Sequence, residues 1–83
     1  MKAVKIYVKE WCPFCVRAKA LLTHKNISFE EISIEGNQEL TEKLFSETGF
    51  RTVPQIFIGE ECVGGYSELA ALEQAGELDA KLQ

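Results

Sequence analysis

A change of period constrains this chain most. Val4, Ile6 and Val8 alternate with Lys5, Tyr7 and Lys9, which predicts a strand over residues 3–9 with one apolar face. The next stretch, EWCPFCVRAKALL at residues 10–22, breaks the alternation at once. From about Phe14 to His24 it is rich in helix formers. Val16, Ala20 and Leu21 fall on one stripe, Arg17, Lys19 and Lys25 lie elsewhere, and Asn26 is a plausible stop. Strand, loop and helix therefore follow without a linker, and the loop is Cys12-Pro13-Phe14-Cys15.

The rest of the chain continues the pattern. Residues 27–34 read as a second strand, but apolar parity slips between Ile27 and Phe29 and the later Ile32 and Ile34, so pairing begins near Glu30 or includes a bulge. Glu35-Gly36-Asn37 forms a turn, with Asn37 as cap of a helix bearing Leu40, Leu44 and Phe45. Gly49 suits the left-handed residue that ends it. Residues 55–59 and 61–64 are two short apolar runs joined as an antiparallel hairpin. Ser67 caps a last helix with Leu69 and Leu72, ending at Gly76, and Leu78 and Leu82 lie in a short tail. The predicted order is β-α-β-α-β-β-α, an α/β fold with a four-stranded mixed sheet flanked by helices.

Eighty-three residues fit a single domain spanning 1–83, able to bury roughly 60–65% of the unfolded chain's surface. The 46% apolar content supports one core. No apolar stretch approaches the roughly 20 residues of a membrane span, and the first residues do not resemble a signal peptide. A soluble, cytoplasmic protein is expected. Residues 1–25 hold Lys2, Lys5, Lys9, Arg17, Lys19 and Lys25 against Glu10 alone, a net +5 that leaves −9 for the remainder of a chain totalling −4. An acidic chain of this kind is a poor nucleic-acid binder, whereas a basic half around two cysteines favours an anionic small substrate.

Three cysteines cannot all pair within the chain, and a CxxC in a cytosolic setting points to redox or metal chemistry. Structural zinc needs four ligands, and Cys62 and one histidine in this spacing fit no ordinary finger. Position favours redox. A cysteine at the first turn of a helix faces unpaired N–H groups and the positive end of the helix dipole, both of which stabilise a thiolate. Cysteines so placed have pKa values lowered to roughly 3.5–7.5. Cys12 is thus read as the nucleophile. Cys15, three residues on and on the same helical side, is read as the more shielded resolving thiol. Pro13 fits the first helical position, which needs no N–H donor. His24 lies roughly 18 Å along a helix from Cys12 at 1.5 Å per residue, too far to act as its base. It is read as a helix C-terminal residue, and Cys62 as a small buried hydrophobe in the last strand.

With CPFC at the strand-to-helix junction, RTVPQIFIG at residues 51–59 and GGYSEL at residues 64–69, the sequence resembles the dithiol glutaredoxins from end to end. The resemblance implies a thioredoxin-like fold with a cis-proline at Pro54 beside the CxxC, which makes Thr52, Val53 and Pro54 the substrate platform. The backbone before such a proline faces outward and pairs with a peptide-like ligand as an added strand does. Glutathione is implied as co-substrate, with no bound cofactor and no metal. Val53 would hold its cysteinyl backbone, and Ser67 and Glu68 its γ-glutamyl end. Lys9 and Arg51 would attract its glycine carboxylate, and Phe14, Gly65 and Tyr66 complete the contact set. A helix start suits a carboxylate independently of the family.

The implied activity is glutathione-dependent reduction of protein–glutathione mixed disulfides and protein disulfides by a monomer, without nucleic-acid or membrane partners. Four positions depart from the family pattern. Phe14 stands where Tyr is usual, Trp11 replaces a smaller residue as in thioredoxins, Glu68 replaces a common Asp, and Thr41 stands where a Gln often meets the glycine carboxylate. Two alternatives remain at this point: a thioredoxin-like donor reduced by a flavoprotein reductase, or an iron–sulfur carrier bridging two subunits through Cys12 and glutathione. Pro13 speaks against the carrier, whose relatives tend to have a small residue there.

Overall fold

The computed structural model describes all residues from Met1 to Gln83. The elements run β1 (Val4–Val8), α1 (Pro13–His24), β2 (Glu30–Ser33), α2 (Gln38–Thr48), β3 (Gln55–Ile58), β4 (Glu61–Gly64), α3 (Tyr66–Gln74) and α4 (Leu78–Leu82). The four strands form one sheet in the order β2-β1-β3-β4. β1 pairs parallel to β2 and antiparallel to β3, and β3 pairs antiparallel to β4 with an irregularity between Ile56 and Phe57. This is the expected mixed sheet. The β1–β2 ladder begins with Lys5 opposite Glu30, which accounts for the slipped parity, since Ile27 and Phe29 precede the strand.

Alternation along β1 buries Val4, Ile6 and Val8. With Ile56 and Ile58 of β3 they form the sheet's contribution to a core completed by Cys15, Ala18 and Leu22 of α1, Leu69 of α3, and Leu78 and Leu82. Tyr7 and Phe57 have the opposite parity, and their rings meet edge-on at 5.5 Å, a favoured cross-strand aromatic geometry. Asn37 Oδ1 accepts the Leu40 N–H at 3.0 Å, and Gly49 ends α2 at φ 80°, so both ends of that helix follow the predicted signals. Asn26 adopts φ 60° just after α1, a region its short polar side chain tolerates.

Three local readings need correction. The buried face of α1 is Cys15, Ala18 and Leu22, whereas Val16 is 62% exposed and Ala20 also faces solvent. Burying Cys15 under the helix start turns Val16 and Ala20 outward and leaves only Leu21 of the expected stripe against the core, because adjacent helical residues differ by about 100° around the axis. The cap of α3 is Gly65 rather than Ser67, which sits inside the helix. Glu68 makes this possible: its Oε1 reaches back to accept the Gly65 N–H at 2.7 Å, half of a capping box. The tail is also a helix, α4, so the order gains one element. Burial of Leu78 and Leu82 against the core drives it, and the Lys2 N–H donates to Leu82 O at 2.7 Å. Lys25 at the end of α1 bridges Glu73 and Asp79 at 2.8 and 3.2 Å, tying the three helices on that side together.

No helix is long and apolar enough to cross a membrane.

Candidate active site

Cys12 is the N-cap of α1. Its sulfur accepts the Cys15 N–H at 3.1 Å, so the first turn of the helix directs a backbone donor at the sulfur, as thiolate stabilisation requires. Pro13 occupies the first helical position and costs no hydrogen bond there. Cys12 and Cys15 are joined as a disulfide with Cα atoms 5.2 Å apart, within the range that bridging needs. The two differ in access. Cys15 is 2% exposed and part of the core, while Cys12 only packs against its edge. An incoming sulfur therefore reaches Cys12, and Cys15 acts from behind it.

The loop before Cys12 is tied to the segment that follows β2. The Glu10 N–H donates to Glu35 Oε1 at 3.1 Å, and Ile34 N–H donates to Val8 O at 2.9 Å. Trp11 follows directly at φ 55° and is 97% exposed. The left-handed region costs a non-glycine residue about 1–2 kcal/mol, and Trp11 recovers none of it by packing.

Across from Cys12, the Val53–Pro54 peptide bond is cis, as the resemblance implied. Val53 O lies 3.8 Å from Cys12 Sγ, a contact in the disulfide form, which has no thiol hydrogen to donate. A groove of about 410 Å³ runs along this segment and gathers Phe14, Thr52, Val53, Pro54, Gly65, Tyr66, Ser67 and Glu68. All eight were singled out from the sequence. Phe14 and Tyr66 line it with ring centroids 6.2 Å apart, and the Arg17 guanidinium lies 5.2 Å over the Phe14 ring, a cation–π arrangement. Ser67 and Glu68 bring the N-terminus of α3 to the groove. Gly64 is required behind it: at φ 115°, an added Cβ would sit 2.8 Å from Glu68 Cγ and displace the carboxylate that caps α3.

Lys9 and Arg51 meet in a neighbouring cleft of about 390 Å³, which shares Thr52 and Val53 with the groove and includes Cys12. Neither cation has a salt-bridge partner, in contrast to Lys19, Lys25 and Lys81. Thr41 is near Lys9, but its hydroxyl donates to Asn37 O at 2.8 Å and is held by its own helix. No cluster of three metal-ligating side chains occurs.

Sequence reading missed one groove residue and one that supports the groove from beneath. Phe50 lines the groove but lies one residue before the RTVPQIFIG motif. Gln55 is fully buried and fixes the loop that carries the platform. Its Nε2 donates to Phe50 O and Thr52 O, both at 3.1 Å, and its Oε1 accepts from Thr48 Oγ1 at 2.9 Å. A polar residue opening an apolar strand was the available signal, because a buried amide needs partners. Gln55→Leu keeps the volume and strips three hydrogen bonds. It should lower unfolding free energy by about 1–3 kcal/mol, read as a lower urea midpoint at unchanged slope; an unchanged midpoint would show that the loop does not need the amide.

Cys62, expected to be buried, is only half-buried on β4. Burial still pushes its thiol above the ordinary value, with the nearby Glu61 and Glu68 charges acting in the same direction against a hydrogen bond at Gly64. It therefore stays protonated at neutral pH. After reduction, iodoacetamide at pH 7 should label Cys12 at least about tenfold faster than Cys62, since the thiolate is the reacting form. Peptide mass spectrometry over time measures both, and equal rates would contradict the assignment.

A dithiol at a helix N-terminus beside a cis-proline platform has close relatives. The glutaredoxin family model matches residues 4–63. The chain belongs to the glutaredoxin family. It is 52% identical over 82 residues to a glutaredoxin of Pseudomonas aeruginosa, covering 99% of this chain and 98% of that one. Among solved structures, a wheat glutaredoxin superposes with a TM-score of 0.90 at 38% identity, covering 98% of this chain and 78% of its own. A buckwheat glutaredoxin in complex with glutathione gives 0.90 at 27% identity, covering 98% and 76%. Glutaredoxins have the thioredoxin-like fold and are thiol–disulfide oxidoreductases, and in this one the disulfide-bonded Cys12 and Cys15 fit a CxxC redox motif.

Proposed function

We propose that this glutaredoxin is a glutathione-dependent oxidoreductase that reduces protein–glutathione mixed disulfides and some protein disulfides, acting as a monomer whose single domain spans residues 1–83. The observation that carries the reading is the position of Cys12 Sγ, at an N-cap that aims a backbone N–H at it and against Val53 of the platform. In this reading glutathione lies along Thr52, Val53 and Pro54. Its cysteinyl backbone pairs with Val53 and its γ-glutamyl carboxylate meets the start of α3 at Ser67. Phe14, Gly65 and Tyr66 flank it. Glu68 shapes that end as the cap of Gly65, and Lys9 and Arg51 attract the glycine carboxylate from the adjoining cleft.

The Cys12 thiolate attacks the glutathionyl sulfur, forming a Cys12–glutathione disulfide and expelling the substrate thiolate, which takes a proton from solvent. A second glutathione thiolate attacks the glutathionyl sulfur of that adduct, releasing glutathione disulfide and restoring the Cys12 thiolate. The N-terminal donors of α1 assist both steps, since they stabilise Cys12 as nucleophile and as leaving group. Turnover of a glutathione mixed disulfide with glutathione, glutathione reductase and NADPH tests the reading. Activity only with thioredoxin reductase would replace it with the thioredoxin-like one.

A further inference from the structure

A larger cleft, of about 580 Å³, also reaches Cys12; it shares no lining residue with the glutathione groove and adjoins the Lys9 and Arg51 cleft. Its apolar wall is Val8, Trp11, Pro13 and Val16, and both active-site cysteines line it. Nothing in the free protein explains this wall. Trp11 is 97% exposed in a backbone conformation that disfavours it, and Val16 is 62% exposed on a helix whose buried face lies elsewhere. Large exposed side chains that gain nothing from folding mark a contact surface.

Charge narrows the occupant. Four ionised side chains border the cleft, Lys9 and Lys19 against Glu10 and Glu31, and Lys19 is paired with Glu31 at 2.9 Å. They cancel, so the cleft offers no net attraction to a free anion, in contrast to the side where Lys9 meets Arg51. The occupant is therefore apolar. Because Cys12 is part of the lining, it must also be continuous with the disulfide under attack.

We propose that this cleft docks a polypeptide segment carrying an apolar side chain beside the cysteine that Cys12 attacks, and so selects among protein disulfides. The inference deepens the function proposed above and rests on it only for the chemistry of the dithiol. Attack by the Cys12 thiolate on one substrate sulfur forms a mixed disulfide and expels the other substrate thiolate. The Cys15 thiolate then attacks Cys12 Sγ, closing the Cys12–Cys15 disulfide and releasing the reduced substrate.

The test uses the pre-reduced protein in single turnover without glutathione. The probes are two synthetic peptides with one intramolecular disulfide, identical except for Leu or Ser beside each cysteine, at sub-saturating concentration. The leucine peptide should react about five- to tenfold faster. Val16→Gln and Trp11→Thr should each reduce that preference below twofold. Val16→Gln is decisive, because Trp11 also borders the Lys9 and Arg51 cleft, and its rate with glutathione disulfide should stay within twofold of the unsubstituted protein. No leucine preference, a preference that survives Val16→Gln, or an equal loss on glutathione disulfide would overturn the proposal. Failure of the glutathione-coupled assay with the peptide preference intact would sink only the proposed function.

Discussion

Cys12→Ser should abolish turnover of every disulfide substrate. The substitution keeps the side chain's size and its ability to accept the Cys15 N–H, so the fold should be unaffected. What it removes is the ionisable sulfur, and a serine hydroxyl with no general base beside it does not attack a disulfide at neutral pH. Neither remaining cysteine can substitute. Cys15 is 2% exposed beneath the helix start. Cys62 lies on β4 and caps no helix, with its thiol held protonated by burial. Activity should fall at least about a thousandfold, to the background of the assay, while the thermal midpoint matches that of the reduced parent protein. Residual turnover above a few per cent would assign part of the chemistry to Cys62 and undo the reading of Cys12.

Features written locally in the chain were legible from it. The β1 alternation, the Asn37 cap, the Gly49 stop and the Cys12 N-cap each depend on a few neighbouring residues, and each stands as expected. The groove followed the same logic, because three short motifs carried its members. What stayed hidden depends on where elements meet. In α1, Val16, Ala20 and Leu21 form as credible an apolar stripe as Cys15, Ala18 and Leu22, and only docking on the sheet chooses between them. Ser67 looked like the cap of α3, but where β4 meets α3 the backbone of Gly64 and Gly65 lets Glu68 supply the contact from three residues on. Gln55 bonds to residues three, five and seven positions before it, in a loop whose path no propensity predicts. The same uncertainty about faces concealed the second cleft, since an exposed Val16 is visible only once α1 is seated.

Cys15→Ser should separate two activities that Cys12→Ser removes together. A glutathione mixed disulfide needs one attacking thiol from the enzyme, because glutathione from solution resolves the adduct on Cys12. That activity should persist within about twofold to threefold of the parent. An intramolecular protein disulfide behaves differently. Attack by Cys12 leaves the substrate tethered through one sulfur, with its own second thiol close enough to re-close the bond and expel the enzyme. Only a faster internal competitor drives the reaction forward. Cys15 lies in the same helical turn, within disulfide reach of Cys12, and well-oriented intramolecular partners reach effective molarities of about 10⁵ M or more. Glutathione at millimolar concentration does not match that. The Cys15→Ser protein should therefore accumulate mixed disulfides with protein substrates, visible as a mobility shift on non-reducing gels. Its initial rate on those substrates should fall about a hundredfold or more. Paired initial rates, one for each substrate class, decide the matter, and equal losses on both would show that Cys15 supports Cys12 itself rather than resolving its adducts.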